Sequence, residues 1–597
     1  MSFQNKHFLN TPESLVLDSL QGLCAVNPRL ALDSQNKVVH IASPDRTKVA
    51  LLCGGGSGHE PAHAGFVGQG ILTGAVCGNV FASPNASQVR RGIDLVENDK
   101  GTVIIVKNYT GDILNFGLAK EQYAALHPDK ADRVKFVIVG DDVAVGKTQG
   151  AIVGRRGLAG TVLVYKIAGA LAQRGGSLNE VYSIAQWVSS SIATVGVGLE
   201  HCHVPGTVAS SHLSDSEIEI GMGIHNESGN RRLSPVPPLS KLIPQLLDLL
   251  TSTNDPERSF LPFKGKDEVV LLVNNLGGIS ELEFGGIVAE VRRALEIQGI
   301  VIHRVLAGSF MTSLNMPGFS ITLLLLPNTS SGSTPELSLI LSLLDDKSDA
   351  PGWKWSSASP PAAVVTELAA PVELSPGKVQ VPRTTLLKSA DPKSFILSIE
   401  RACNALVTAE SEITRMDVIA GDGDCGLTLK TGAEAVLAKI REGNIKGTDL
   451  VGSIITISQV AEEVMGGTSG ALYSIFFSAL AQGLQTQISD AETTVTPQIW
   501  GLALTSALTK LYTYTRARPP SRTLVDPLAA FVETFTKNPA SNFATAVHGA
   551  VAAAEGTKNI EAKAGRSAYV EGDRLKEQQV ADPGAWGVKV ILERLLV

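Results

Sequence analysis

Paired cysteines are missing from this sequence. Its six, Cys24, Cys53, Cys77, Cys202, Cys403 and Cys425, are scattered through 597 residues, which excludes a disulfide framework and points to reduced thiols. No apolar run approaches the roughly 18–20 residues that a membrane span needs; Ile321 to Leu326 reads as a buried strand. The opening MSFQNKHFLN has no basic-then-apolar signal layout, and Ser2 stands where myristoylation requires glycine. The closing ERLLV is not a peroxisomal tripeptide, so a cytoplasmic location is expected. Strong charge of either sign is missing too. A net charge of −7 with 18% charged residues suits neither a nucleic-acid surface nor an acidic tail, and small molecules are the expected partners.

What the chain has is glycine, 58 of them, with 44% hydrophobic residues, a composition of globular, loop-rich α/β construction. The length calls for two large domains. From Asp345 to Arg383 proline, serine and alanine replace any periodic apolar face, so the expected layout is an α/β domain over 1–344, a tether over 345–388 and a helical domain over 389–597. Before the tether, KVALLC (48–53), TVIIVK (102–107), VKFVIV (134–139) and VVLLV (269–273) are short continuous apolar runs, as in strands of a mostly parallel sheet covered on both faces. The block from about Glu268 to Leu326 reads as a second α/β unit. After the tether, 392–410, 429–441 and 450–464 carry apolar residues at three- and four-residue spacing, the pattern of a helix bundle.

Five segments can carry chemistry. In Gly54-Gly55-Gly56-Ser57-Gly58-His59-Glu60-Pro61 the glycines let backbone N–H groups approach a ligand, although a tight turn reads the same way. Asp112, behind KNYTG at a strand end, can accept a hydroxyl proton or simply cap a helix. His225, in GMGIHNE, is a competent nucleophile towards a carbonyl, although a lone histidine is more often structural. Asp417, Asp422 and Asp424 concentrate negative charge that suits Mg²⁺, or a solvated loop. Gly426-Leu427-Thr428-Leu429 and Gly466-Gly467-Thr468-Ser469 open helices whose free N–H groups can hold an anion. His201-Cys202-His203 has metal-ligand types, but no second pair follows at zinc spacing.

Together these segments resemble the dihydroxyacetone kinase family, of the single-chain, ATP-dependent type. GGGSGHEP (54–61), KNYTGD (107–112), GDDVAVG (140–146), GRRGLAGTVL (154–163), GMGIH (221–225), VNNLGG (273–278), GDGDCG (421–426), GGTSGALY (466–473) and DPGA (582–585) fall in family order over nearly the whole chain. The resemblance implies an α/β substrate domain of two subdomains and an all-helical nucleotide domain. It implies that His225 forms a hemiaminal with the substrate carbonyl and that His59 and Asp112 handle the hydroxyl proton. Gly55, Gly56, Ser57, Gly58 and Lys107 would contact the substrate, and Asp417, Asp422 and Asp424 would bind Mg²⁺. Gly426, Leu427, Thr428, Leu429, Thr468, Ser469, Asp582, Pro583 and Gly584 would contact ATP. The double proline of RPPSRT (518–523) departs from the family pattern and leaves that segment's role open.

The implied reaction is phosphorylation of dihydroxyacetone or glyceraldehyde by Mg-ATP. Glycerol, without a carbonyl, would be refused by bond formation rather than by fit. A homodimer is expected. Two other readings share these residues: FAD cyclisation by the same nucleotide domain, and a sensor that binds substrate covalently without transferring phosphate.

Overall fold

A computed structural model describes residues 5–208, 211–327, 334–362, 386–487, 492–563 and 578–596. The chain divides into two units, Met1–Leu368 and Ala369–Val597.

The first unit is built on two six-stranded sheets. Sheet one takes β1 (Leu30–Asp33), β2 (Val38–Ile41), β3 (Ala50–Ser57), β4 (Gly74–Val80), β5 (Thr102–Lys107) and β6 (Val134–Val139), in the order β1-β2-β4-β3-β5-β6. From β4 to β6 the pairing is parallel, as continuous apolar runs predict. Alternation decides what each strand touches. Leu51, Cys53, Val103 and Ile105 join one core, whereas Ala50, Leu52, Ile104 and Val106 join another, under the helices Ala86–Leu95 and Thr110–Leu126.

Sheet two takes β7 (Ile192–Gly198), β8 (Ile218–Ile220), β9 (Arg231–Leu233), β10 (Glu268–Asn275), β11 (Val301–Gly308) and β12 (Gly318–Leu325), in the order β11-β10-β12-β7-β8-β9. Here the expectation needs correcting twice. The unit expected to begin near Glu268 recruits three earlier strands, and only β10 and β11 pair in parallel. β8 and β9 are too short for a periodic signal, and glycines interrupt β7. The large core draws Leu51, Val103 and Ile105 from sheet one and Val270, Leu272 and Leu324 from sheet two. The helix Thr161–Gln173 in that core is buried on nearly every residue, as a helix apolar all round must be.

The expected tether is ordered at its start. Arg304 grips Asp345 through two nitrogens, at 2.9 and 2.6 Å, Arg174 pairs with Asp346, and the Trp353 ring packs on Phe310 with centroids 5.7 Å apart. Residues 363–385 of the expected tether lie outside the described residues.

The second unit is helical, its first helix being the 29-residue Pro392–Ala420, and its core is lined by Leu406, Ile413, Leu429, Phe476 and Phe531 among others. Its only strands among the described residues, β13 (Leu386–Lys388) and β14 (Glu492–Thr494), pair in parallel. No helix of the described residues is long and apolar enough to cross a membrane.

Leu272 has no exposed surface in the large core. Leu272→Ala should cost about 2–5 kcal/mol of unfolding free energy, read as a lower urea midpoint at unchanged slope.

Candidate functional site

Four loops at the carboxyl ends of strands meet in the first unit, where ligands of α/β sheets bind. The loop after β3 carries His59; Lys107 ends β5, and Asp112 lies in the first turn of the helix Thr110–Leu126 that follows. The loop after β8 carries His225, and the loop after β11 carries Thr312. Backbone hydrogen bonds join the first and last: Thr312 N donates to His59 O and Leu314 N to Gly58 O. Asn274 of β10 braces the last loop, accepting from Phe310 N and Met311 N and donating to Met311 O. Arg156, held by Asp142 at 2.7 Å, donates to Gly221 O and fixes the His225 loop. The GDDVAVG and VNNLGG motifs therefore act as scaffold. A Cβ at Gly223 would lie 2.1 Å from the Glu227 carboxylate and 2.6 Å from Arg156, so a side chain there would push both from their present places.

His59 Nε2 faces His225 Nε2 at 3.0 Å, and their outer nitrogens are committed. His59 Nδ1 lies 2.8 Å from Thr312 O, which can only accept, so that nitrogen carries the hydrogen. His225 Nδ1 lies 2.9 Å from the Glu227 carboxylate, which also accepts from His225 N. Burial pushes the Glu227 carboxyl up, but the His225 ring and the His225 and Glu227 N–H groups outweigh it and hold it at about 2. Glu227 is thus ionised, and His225 Nδ1 carries the hydrogen too. Burial lowers both imidazole pKa values, and Lys107 lowers them further. Two neutral rings so arranged turn both Nε2 lone pairs into the same space. The contact is relieved by a shared extra proton, by hydrogen-bond donors, or by a molecule offering an electrophilic carbon to one ring and a donor to the other. His225 is boxed edge-on by His59, Phe81 and Tyr109, at 85–86°, yet its side chain keeps 19% exposure.

Beside this pair Asp112 is 3% exposed and Lys107 fully buried. Ser83 Oγ donates to Asp112 Oδ1 at 2.5 Å. Burial raises the Asp112 carboxyl pKa, against the pull of Lys107 and Ser83. Lys107 Nζ and Tyr109 Oη have no hydrogen-bond partner among the described residues, and a buried cation without one marks room for a polar ligand. The structure brings His59, His225, Asp112, Lys107 and Gly55–Gly58 together. The Ser57 hydroxyl is committed to Gly78 O at 2.8 Å, so Ser57 offers only its backbone. Glu227 and Tyr109 were not singled out from sequence, although both lie within quoted motifs.

In the helical unit the aspartates converge: ligand oxygens of Asp417, Asp422 and Asp424 lie within 4.8 Å of one another. Cys425 marks the meeting point of the predicted segments. Its thiol hydrogen-bonds Ser469 and is pushed up to about 12 by burial and by Asp417, Asp582 and Asp424. Burial likewise pushes the Asp582 carboxyl up to about 6, against the Ala585 N–H that it caps and the Arg522 guanidinium. Asp582 begins the helix Pro583–Leu595, and Gly584 lies beside Leu524. Leu427 is exposed and Leu429 sits in the core, so what the helix start Gly426–Leu429 offers a ligand is backbone and the Thr428 hydroxyl. Hard carboxylate oxygens at this density fit Mg²⁺.

RPPSRT divides cleanly. Arg518 folds back on the Tyr512 ring, 3.8 Å away, and on backbone carbonyls. Arg522 is fully buried; among the described residues its Nε and Nη1 have no partner, and Nη2 donates to Val580 O. A guanidinium left with open donors beside an anion cradle fits a phosphate. The double proline had hidden it.

Models of two domain families match the chain, the Dak1 domain over residues 21–351 and the DAK2 domain over 419–597. A dihydroxyacetone kinase of Pichia angusta is 42% identical, covering 99% of this chain and 98% of the relative.

The chain belongs to the dihydroxyacetone kinase family.

Within that family it is also 38% identical to the human triokinase/FMN cyclase, with 99% of each chain covered. The dihydroxyacetone kinase from C. freundii, solved with AMP-PNP and Mg²⁺, matches at 30% identity over 99% of both chains, with a TM-score of 0.65.

The His225 pKa, lowered by burial, should place its titration below pH 6.5 in ¹³C-histidine NMR. Glu227→Gln, which removes the one strong opposing influence, should move it lower still. A midpoint at or above 6.5 would refute the assigned proton pattern.

Proposed function

We propose that this chain phosphorylates dihydroxyacetone, and glyceraldehyde, at the expense of ATP, with the carbonyl carbon held as a hemiaminal on His225. The observation that carries it is the pair of facing Nε2 atoms with committed outer nitrogens. A hydroxy-carbonyl compound answers both: its carbonyl carbon takes the His225 lone pair, and a hydroxyl donates to His59. As the N–C bond forms at Nε2, the carbonyl π pair moves to oxygen, which takes up a proton from solvent, while the imidazolium left on His225 passes its Nδ1 proton to Glu227 and on to solvent, so that the hemiaminal is neutral. Asp112, its basicity raised by burial, takes the proton of the hydroxyl that becomes phosphorylated. Lys107 faces the same space as a fixed positive charge.

Asp417, Asp422 and Asp424 would hold Mg²⁺, and the starts of the helices Cys425–Arg441 and Gly467–Gln485, Asp582–Gly584 and Arg522 would hold the nucleotide. Bound Mg-ATP supplies the phosphoryl group and offsets its charge. The relatives named as dihydroxyacetone kinases and the structure with AMP-PNP and Mg²⁺ support this reading. The relatives named triokinase/FMN cyclase, at similar coverage, favour FAD cyclisation as a side activity of the helical unit.

A coupled assay should show ADP formation with dihydroxyacetone and glyceraldehyde, little with glycerol, and none after EDTA. ATP turnover indifferent to the carbonyl would refute the role of His225. His225→Ala should abolish a protein adduct with the mass of intact substrate. Asp112→Asn should keep the adduct but lose about 10²-fold or more in rate, whereas adduct formation without turnover in the wild type would favour the sensor reading. FAD consumption in the same assay measures the cyclase.

A homodimer belongs to the same reading. Mixing inactive His225→Ala and Asp422→Asn chains should restore activity if one chain's helical unit serves its partner's substrate site.

A further inference from the structure

One buried imidazole beside the substrate loop has no part in the chemistry above. His63 is 3% exposed, follows the His59 loop, and points its two ring nitrogens at different neighbours. Nδ1 lies 2.9 Å from Tyr165 Oη and 3.4 Å from Cys53 Sγ, and the Cys53 thiol is itself within hydrogen-bond reach of Tyr165 Oη. Nε2 is buried and has no partner among the described residues. It looks across Gly55: a Cβ built there would lie 3.1 Å from His63 Nε2 and 3.1 Å from Asp112 Oδ2. The two polar atoms are therefore no more than twice that distance apart, with no side chain on Gly55 to separate them.

The surroundings choose the tautomer. Burial pushes the Cys53 thiol up to about 12, so it stays an S–H. Sulfur accepts weakly, so the Tyr165 hydroxyl gives its hydrogen to His63 Nδ1 and receives that of Cys53. The remaining ring hydrogen is then on Nε2, the nitrogen that faces the Asp112 carboxylate across the gap. Burial and the nearby Lys107 charge keep the ring neutral. A bare Nε2 lone pair towards a carboxylate oxygen would leave both without a donor, which supports the same assignment.

The geometry points to His63 as a further substrate-positioning residue: its Nε2–H, buried and unpartnered among the described residues, donates to the hydroxyl oxygen whose hydrogen Asp112 accepts, once the substrate is seated beside Gly55. That oxygen would be held from two sides, hydrogen towards Asp112 and one lone pair towards His63, which leaves its other lone pair free to attack. Tyr165 and Cys53 act one step further back, by fixing which His63 nitrogen carries the hydrogen. This inference rests on the proposed kinase reading.

The test compares His63→Phe, which keeps the ring volume, with His63→Gln, whose amide can donate near the Nε2 position. His63→Phe should lower kcat/KM for dihydroxyacetone by about 10²-fold, with KM for ATP unchanged and the His225 adduct still formed. His63→Gln should recover at least about tenfold of that loss. If His63→Phe does not fold, Tyr165→Phe, which removes only the hydroxyl that fixes the tautomer, should lower kcat/KM by about tenfold with unfolding temperature little changed. A folded His63→Phe enzyme with wild-type kinetics, a Gln variant no better than Phe, or an unaffected Tyr165→Phe enzyme would each overturn the proposal. Absence of triose phosphorylation in the wild type would instead overturn the kinase reading, so the two failures are distinguishable.

Discussion

The first unit depends on the contact between two imidazoles. His59 and His225 come from different sheets, and their Nε2 atoms meet at 3.0 Å only because Thr312 O and Glu227 have taken the outer nitrogens. Neither ring can turn its lone pair away without abandoning a buried hydrogen bond, a cost of about 1–3 kcal/mol. Much of the surrounding scaffold serves this constraint. Asn274 braces the loop that supplies Thr312, Arg156 and Asp142 hold the loop that supplies His225, and Gly223 leaves room for Glu227. Motifs that look like separate signals in the sequence are in this sense one device.

The same logic explains why polar groups can be so deeply buried here. Lys107, Asp112, His59 and His63 lie within a largely apolar interior, where unpaired charge is expensive. Lys107 and Asp112 influence each other's ionisation, burial favours the neutral imidazoles, and Lys107 Nζ and His63 Nε2 have no hydrogen-bond partner among the described residues. A low dielectric strengthens each of these interactions once water is excluded. The helical unit follows a different plan. Its three aspartates, Asp417 buried and Asp422 and Asp424 exposed, are gathered where the helix Pro392–Ala420 ends and the helix Cys425–Arg441 begins, a surface suited to a hydrated cation and a charged nucleotide.

How much of this was legible in the sequence follows from the range over which each feature is encoded. The parallel strands of sheet one and the long helices are encoded locally, by continuous apolar runs and by spacing, and the structure shows them where expected. Sheet two was half hidden because β8 and β9 are three residues each and take their place only by pairing with β7. The ordered start of the expected tether depends on Arg304, Arg174 and Phe310, which lie far away in the chain. Among site residues, His225, Asp112 and the aspartates could be found because glycines or other carboxylates flank them. Glu227 and His63 could not be ranked, since their importance lies in which nitrogen of which ring they face or carry. Arg522 was obscured by the double proline, and its burial with two donors unpartnered among the described residues separates it from Arg518 four residues earlier.

The arrangement also bears on how a very small substrate can be recognised. A triose offers few hydrogen-bonding groups, and discrimination from glycerol by such bonds alone would rest on one oxygen. A covalent bond to the carbonyl carbon makes that atom's oxidation level the criterion. It also fixes one carbon of a three-carbon chain, after which the neighbouring hydroxyl can reach only a small volume. A general base and a fixed charge at the edge of that volume are then enough to orient it, without closure of a large pocket. On this view the two demands, selecting a carbonyl and placing a hydroxyl, are met by the same bond. On the proposed reading, sheet two supplies the nucleophile, His225, and sheet one the base, Asp112.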